Sequence, residues 1–494
     1  MSEDLNLKDL KKFGKEEIPP KPASLIETFR AIGYSLPGAL ADIIDNSISA
    51  GAKNVWVNLV WKDDKSVITI RDDGSGMTET ELVEALRPGT HNPLESRNAN
   101  DLGRFGLGLK TASFSQCRIL TVISKKKEEV HTRAWNLDFV EKYDKWQILD
   151  YVSDKSFQET MAGQEKGTLV IWENMDRVIK DQHDNILPRQ KFFEIARETE
   201  HHLSMVFHRY IESNRLNLWI NDLLIKPWDP FLKDNTFTML TPTEQFAEGK
   251  IKVTGYVLPH PSNLNENMYN IAGGVNGWHA QQGFYIYRKD RLLVAGDWLQ
   301  LFKKYEHTKL ARIMIEMDTK LDLAWQLDIR KSRAIPPRLF TGDLERYAKA
   351  VIDKATEVFR HRGKSKQRKN AKNNLEFAWI PQEENGREFY KINREHGQIK
   401  HLTEKFPEAK DALEKLFRLL EISLPIPAIV LSENVNADRS AQTALSVNDE
   451  EILVLLKYNY ANLLKDGLSK SNAKDKLSLM DPFIDFPHLL ANLK

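Results

Sequence analysis

Apolar positions along the chain switch repeatedly between helical and strand spacing. Leu36 to Ala50 reads as a helix, and Val55 to Trp61 and Ser66 to Asp72 as strands. A loop-rich interval around residues 87–102 leads through a glycine-rich turn into another helix, followed by strands at Ile119 to Ile123 and Gly167 to Trp172. Residues 188–212 carry the pattern of one long amphipathic helix. Strands recur at Leu216 to Ile220, Lys250 to Leu258, Gly283 to Tyr287 and Arg291 to Val294, and the pattern ends near Leu327. Residues 341–373 read as a helix running into a basic stretch, and the remainder alternates helical segments with proline-containing breaks. Mixed helix and strand periods predict an α+β fold. The expected divisions are a polar arm over residues 1–25, a first domain over 26–185, a second over 186–340, a helix and basic linker over 341–375, and a mainly helical module over 376–494.

Composition narrows the function classes. The 494 residues suffice for about three domains. Lys and Arg total 71 against 70 Asp and Glu, a net charge of +1. Such a balance excludes a global polycation that coats nucleic acid, yet leaves room for a local basic patch. No apolar run approaches the 18 or so residues of a membrane span, and the charged N-terminus lacks the apolar region of a signal peptide. A single cysteine, Cys117, cannot form an intramolecular disulfide. A cytoplasmic, multidomain protein is expected.

Four short segments carry candidate chemistry. In the first helix, which Ser35 can cap and Pro37 can start, Asp42 and Asn46 stand at i and i+4 and project from one face. A carboxylate able to take a proton from water would thus sit beside an amide oxygen able to ligate a hard cation; the pair also reads as ordinary helix surface. The second segment, Arg71-Asp72-Asp73-Gly74-Ser75-Gly76-Met77, ends an apolar strand. Its glycines permit close approaches, and Asp72 can accept a hydrogen bond from an exocyclic amine. A plain hairpin turn is the alternative. The third, Gly103-Arg104-Phe105-Gly106-Leu107-Gly108-Leu109-Lys110-Thr111, opens a helix whose exposed N–H groups suit phosphate. Its spacing fits neither a Walker A loop nor the dinucleotide fingerprint, and a glycine-rich helix start reads equally as a packing feature. The fourth is the apolar strand Gly167 to Trp172, with one hydroxyl at Thr168.

In this order the segments resemble the motif boxes of the GHKL superfamily, which contains DNA gyrase B, the ninety-kilodalton heat-shock chaperone, histidine kinases, MutL and the MORC ATPases. The glycine-rich box is most similar to the MORC and MutL branch. The resemblance implies a Bergerat-type α/β sandwich that binds ATP and Mg²⁺, with residues 85–102 as a lid. It assigns Asn46 to Mg²⁺ and Asp72 to the adenine amine. Gly74, Gly76 and Met77 fall to the base pocket, Gly103, Arg104, Phe105, Gly106, Leu107, Gly108 and Lys110 to the phosphate side, and Thr168 to support of the adenine. Asp42 takes the place of the family's usual Glu, with its carboxylate set back by one methylene, so slow hydrolysis or a binding-only scaffold is implied beside a working ATPase.

The second domain resembles the family's β-α-β transducer, with Gly283 to Arg288 and Arg291 to Val294 as its strand pair. The loop Trp325 to Ser332 then supplies a γ-phosphate-sensing cation, Lys331 with Arg330 as the alternative; a surface ion pair is the plainer reading. Dimerisation on ATP, action on DNA or with a partner nuclease or helicase, and a place in a bacterial restriction or antiviral defence system are likewise implied by resemblance only, as is the rival of a chaperone-like ATPase. One feature of the residues themselves bears on DNA. Arg360, Arg362, Lys364, Lys366, Arg368, Lys369 and Lys372 form a basic run without an acid, suited equally to phosphate contact and to a solvated linker. The acidic cluster Asp449, Glu450 and Glu451 reads as a helix start rather than a nuclease metal site.

Overall fold

The computed structural model describes residues 16–89, 108–180, 185–318, 321, 324–326, 334–360, 377–384, 387–423, 449–480, 483, 486–491 and 493. Two compact units divide the chain, Met1–Gly363 and Lys364–Lys494.

Unit one begins with helix α1 (Pro22–Arg30), so the end of the segment read as an arm is helical, Pro22 taking the first turn where its missing N–H costs nothing. Helix α2 (Leu36–Ser49) follows, capped by Ser35, whose side chain accepts from the Gly38 N–H at 3.3 Å. Leu36, Ala39, Leu40, Ala41, Ile43 and Ile44 are buried on it, and Asp42, Asp45 and Ser47 are buried with them. A helix apolar on nearly every side has to run through a core rather than over a surface.

Seven strands form the first sheet: β1 (Asn54–Val60), β2 (Val67–Asp72), β3 (Ile119–Lys126), β4 (Glu129–Asn136), β5 (Gly167–Glu173), β6 (Asn217–Ile220) and β7 (Leu223–Leu224). Their order is β4-β3-β5-β2-β1-β6-β7, antiparallel except for β1 against β6. Strand β5 is interior, between β3 and β2, and its alternation serves two cores. Val170 and Trp172 face the main core with α2, while Leu169 and Ile171 join Ile123 and Met161 on the opposite side. Helices therefore do not keep to one face, because the helix Lys155–Ala162 supplies Met161 to that second cluster.

The stretch expected as one long helix is two. Arg189–Val206 and His208–Glu212 are separated at Phe207, whose backbone (φ −105°, ψ 11°) leaves the helical region. The second sheet has the order β12-β11-β13-β10-β8 with β9 also on β10: β8 (Met239–Leu240), β9 (Glu244–Phe246), β10 (Ile251–Val257), β11 (Gly283–Arg288), β12 (Arg291–Asp297) and β13 (Ala311–Met317). Helix Arg338–Arg360 lays Leu344, Tyr347, Ala348 and Val351 on it. Gly255 is required there, since a Cβ would stand 2.4 Å from Val351 Cγ2. The main core runs on from Phe207 and Tyr210 to Tyr256, Tyr285, Tyr287 and Leu292, so the two helices on either side of Phe207 bind the sheets together.

Unit two contains a hairpin that the helical reading of residues 376–494 missed, Trp379–Glu384 paired with Arg387–Ile392. Pro381 is tolerated in this two-stranded ribbon, where every strand is an edge. Helices follow at Gly397–Lys405, Lys410–Ser423, Asp449–Lys465, Lys470–Leu477 and Pro487–Ala491. Ile452, Leu456, Tyr460, Leu477 and Met480 form a core among the last three of these helices. Asp449 opens its helix and lies 2.9 Å from His488. No helix among the described residues is long and apolar enough to cross a membrane.

Candidate functional site

The end of α2 is tied to the end of β2 through Asp72. Ser47 donates to Asp72 Oδ2 at 2.8 Å, and the N–H groups of Gly74 and Thr168 donate to Oδ1 at 2.9 and 3.2 Å. Burial pushes the Asp72 carboxyl above its ordinary range, while these three hydrogen bonds oppose the shift. Strand register explains Thr168: it pairs directly with Asp72 across β5 and β2.

Beyond Asp72 the backbone turns tightly. A Cβ on Gly74 would stand 2.9 Å from the Ala50 Cβ and 3.0 Å from Asp72 Oδ1. Gly76 has φ +65°, and a Cβ there would meet the Lys125 carbonyl oxygen at 1.9 Å. Met77, half-buried against the core, donates its N–H to Ser124 Oγ at 2.9 Å, and Ser124 Oγ lies 3.0 Å from Thr168 Oγ1. Asp72, Gly74, Met77 and Thr168 thus share one hydrogen-bonded neighbourhood.

Five residues before Ser47, Asp42 is 3% exposed, whereas Asn46 is exposed. Tyr34 donates its hydroxyl to Asp42 Oδ2 at 2.9 Å, and Asp42 Oδ1 is 4.0 Å from Arg291 Nη2. Gly108 opens the helix Gly108–Phe114, and a Cβ on it would come 4.0 Å from Asp42 Oδ2. The glycine-rich segment therefore enters its helix beside the candidate carboxylate. Asn46 presents a single amide oxygen to solvent from the same helix. Mg²⁺ keeps most of its waters and takes only one or two protein oxygens with substrate phosphates, so this donor fits the cation.

Lys110, expected near phosphate, is 2% exposed and donates Nζ to the Ala85 carbonyl at 2.9 Å. That carbonyl lies in the last turn of the helix Glu79–Leu86, where carbonyls lack intrahelical partners and favour a cation. Burial lowers the ammonium pKa to about 8. Gly103, Arg104, Phe105, Gly106, Leu107, Arg330 and Lys331 lie outside the described residues, as do Arg362, Lys364, Lys366, Arg368, Lys369 and Lys372. Arg360 is the last residue of its helix.

Four residues of this neighbourhood escaped the sequence reading. Ser47 adjoins Asn46 and could have been found as a hydroxyl one position on; Tyr34, Ser124 and Arg291 bear no local signal. A cavity of about 300 Å³ lined by Ile26, Leu137 and Val140 shares no residue with the site. His208, Glu212 and Asp229 bring one ligand atom each within 4.8 Å of one another. The two ring nitrogens of His208 already lie 3.1 Å from Glu212 and 2.8 Å from Tyr287 Oη, and Asp229 accepts the N–H groups of Phe231 and Lys233.

Residues 34–168 match the family described as Histidine kinase-, DNA gyrase B-, and HSP90-like ATPase. Chaperone protein HtpG from Rickettsia rickettsii (strain Sheila Smith) is 27% identical over 187 residues, 36% of this chain and 27% of that protein. The DNA mismatch repair protein MutL of Caldanaerobacter subterraneus subsp. tengcongensis is 25% identical over 210 residues, 42% of this chain and 30% of that protein. ATPase morc-1 of Caenorhabditis elegans is 31% identical over 88 residues, 18% of this chain and 10% of that protein. The chain carries a GHKL-type ATPase domain over residues 34–168. It spans less than a third of the length of each of these relatives.

Proposed function

We propose that the protein is an ATP-hydrolysing conformational switch that dimerises on ATP and acts on DNA or with a partner nuclease in a defence-like system. The observation that carries the reading is the division of labour along α2: Asp42 buried beside the start of the Gly108–Phe114 helix, Asn46 exposed one turn on, and Ser47 bonded to the Asp72 carboxylate. Asp72 would accept a hydrogen bond from the adenine amine, held by a turn at Gly74 and Gly76 that packs too closely on Ala50 and Lys125 for a side chain. Gly103, Gly106 and Gly108 would offer backbone N–H groups to the phosphates. Asn46 would hold Mg²⁺, which when bound neutralises charge on the β- and γ-phosphates. Asp42 would accept the proton of the attacking water and Tyr34 would orient its carboxylate. Lys331, with the second sheet as transducer, would add a cation to the γ-phosphate.

A non-hydrolysing ATP-binding scaffold is the second reading, favoured by the shorter Asp42 side chain and its engagement by both Tyr34 and Arg291. ATP turnover by wild type, Asp42→Ala and Asn46→Ala, each with and without duplex DNA, separates the two. Turnover that vanishes in both variants, with ATP still bound by Asp42→Ala, supports the switch. Wild-type turnover no faster than that of Asp42→Ala leaves only the scaffold. Stimulation by DNA that weakens with rising salt is the expected sign of the basic run at residues 360–372.

A further inference from the structure

The hairpin of β11 and β12 reaches from the second sheet to α2. Its turn residues, Lys289 and Asp290, both have positive φ (49° and 66°), the conformation of a tight hairpin turn that matches strand twist. The turn is clamped to helix His208–Glu212 and the residues just after it. Tyr210 donates its hydroxyl to the Lys289 carbonyl at 2.7 Å, and Arg209 and Arg215 pair with Asp290 at 3.2 and 2.6 Å. Arg291 follows the turn directly and points its guanidinium at α2.

Three contacts fix that guanidinium. Nε donates to Asp45 Oδ1 at 3.1 Å, Nη1 donates to the Leu292 carbonyl, and its carbon lies 5.4 Å from the Phe207 ring centroid. Nη2 is then left 4.0 Å from Asp42 Oδ1. All three charged side chains are at most 5% exposed, so their attraction is little screened by solvent. His202, also packed here, has its pKa lowered to about 4, first by burial and then by the Arg291 charge, which leaves Arg291 as the cation facing the two carboxylates. Only a planar fork can address Asp45 and Asp42 together; an ammonium is a single point charge.

We propose that Arg291 is a positioning residue for hydrolysis: anchored on Asp45 and carried by the second sheet, it sets where the Asp42 carboxylate stands. The inference rests on the reading of Asp42 as the group that activates water. Tyr34 holds one carboxylate oxygen from within the ATPase domain and Arg291 steers the other from the second sheet, so any shift of the hairpin against α2 moves the reacting oxygen. A misplacement of about 1 Å is enough to cost up to about a hundredfold in rate.

The test uses the full chain, with steady-state ATP hydrolysis and binding of a non-hydrolysable ATP analogue as paired readouts. Arg291→Gln is expected to lower kcat by about tenfold to a hundredfold while the analogue Kd stays within about twofold, because Arg291 faces the acids Asp42 and Asp45 and none of the groups read as holding the base or the phosphates. Arg291→Lys is expected to recover part of that loss. Unchanged kcat, or turnover and analogue binding lost in parallel, overturns the proposal. Where Arg291→Gln fails to fold, Asp45→Asn keeps the side-chain volume and frees the guanidinium to swing toward Asp42; its kcat is expected to fall with analogue binding intact, and unaltered kcat again overturns the proposal. The Asp42→Asn variant keeps the two ideas apart. Full turnover in Asp42→Asn removes the general-base reading and the inference with it, whereas an inactive Asp42→Asn beside a fully active Arg291→Gln removes the inference alone.

Discussion

Ser47 and Asp72 are joined by a 2.8 Å hydrogen bond between the end of α2 and the end of β2, both side chains buried. The helix that carries the candidate water-activating and cation-binding residues is thereby locked to the strand that carries the candidate base reader. A shift at one end of the candidate nucleotide site is passed to the other through this bond.

This bond makes the first prediction. Ser47→Ala removes one of three donors from a buried carboxylate, which should cost about 1–3 kcal/mol of stability and weaken ATP binding. Asp72→Asn loses the carboxylate itself and should abolish measurable ATP binding while the chain remains folded. Calorimetric titration with ATP and a urea melt of each variant check both; ATP affinity unchanged in Asp72→Asn would remove Asp72 from the site.

Tyr34 is predicted to act on rate rather than on binding. Tyr34→Phe deletes only the hydroxyl that donates to Asp42 at 2.9 Å. Its kcat should drop by about tenfold, with ATP affinity close to wild type. Equal kcat in the two proteins would show that this hydrogen bond does not orient the carboxylate.

Lys110 sets a pH dependence. Its pKa, lowered to about 8 by burial, lies below the 10.5 of an ordinary lysine. Between these two values the unfolded chain binds a proton that the folded chain has released, so stability rises with pH across that window and falls as pH drops through about 8. The slope approaches about 1.4 kcal/mol per pH unit. The nucleotide-free wild type, compared with Lys110→Met by urea unfolding from pH 7 to pH 10, should show this extra slope; parallel curves would contradict it.

Gly76→Ala tests the tight turn. The added methyl would have to occupy the space of the Lys125 carbonyl oxygen, at a backbone φ of +65° that alanine rarely adopts. A loss of more than about 2 kcal/mol is expected, with ATP binding reduced at the same time. Gly163→Ala, where the nearest atoms are 3.6 Å away or more and φ is −72°, should be nearly neutral in the same melt.

Much of this was legible in the chain. The Ser35 cap and early proline that predict α2 are seen in place, because capping is a local matter of one side chain and one turn. Strands β1, β2, β3 and β5 follow from dense runs of β-branched and apolar residues. Strand β4 was missed, since Glu129-Val130-His131-Thr132-Arg133 is largely polar and the strand stands at the end of the sheet, its far side meeting a single bridge from Ala134 to Leu149. The break at Phe207 was missed because apolar spacing continues smoothly across it. Phe207 and Tyr210 share one core with Tyr256, Tyr285 and Tyr287 of the second sheet, which no local pattern announces.

The order and chemistry of the four motif segments were set by the sequence alone, because each depends on residues adjacent in the chain: a glycine's freedom, a helix start, an i and i+4 pair. Tertiary structure decided which groups complete them. Tyr34 beside Asp42, Lys110 turned to Ala85 and Arg291 reaching Asp45 all join residues from separate elements. No local pattern encodes such pairs, since burying a charge or a hydroxyl is tolerated only where the fold happens to bring its partner within hydrogen-bonding distance.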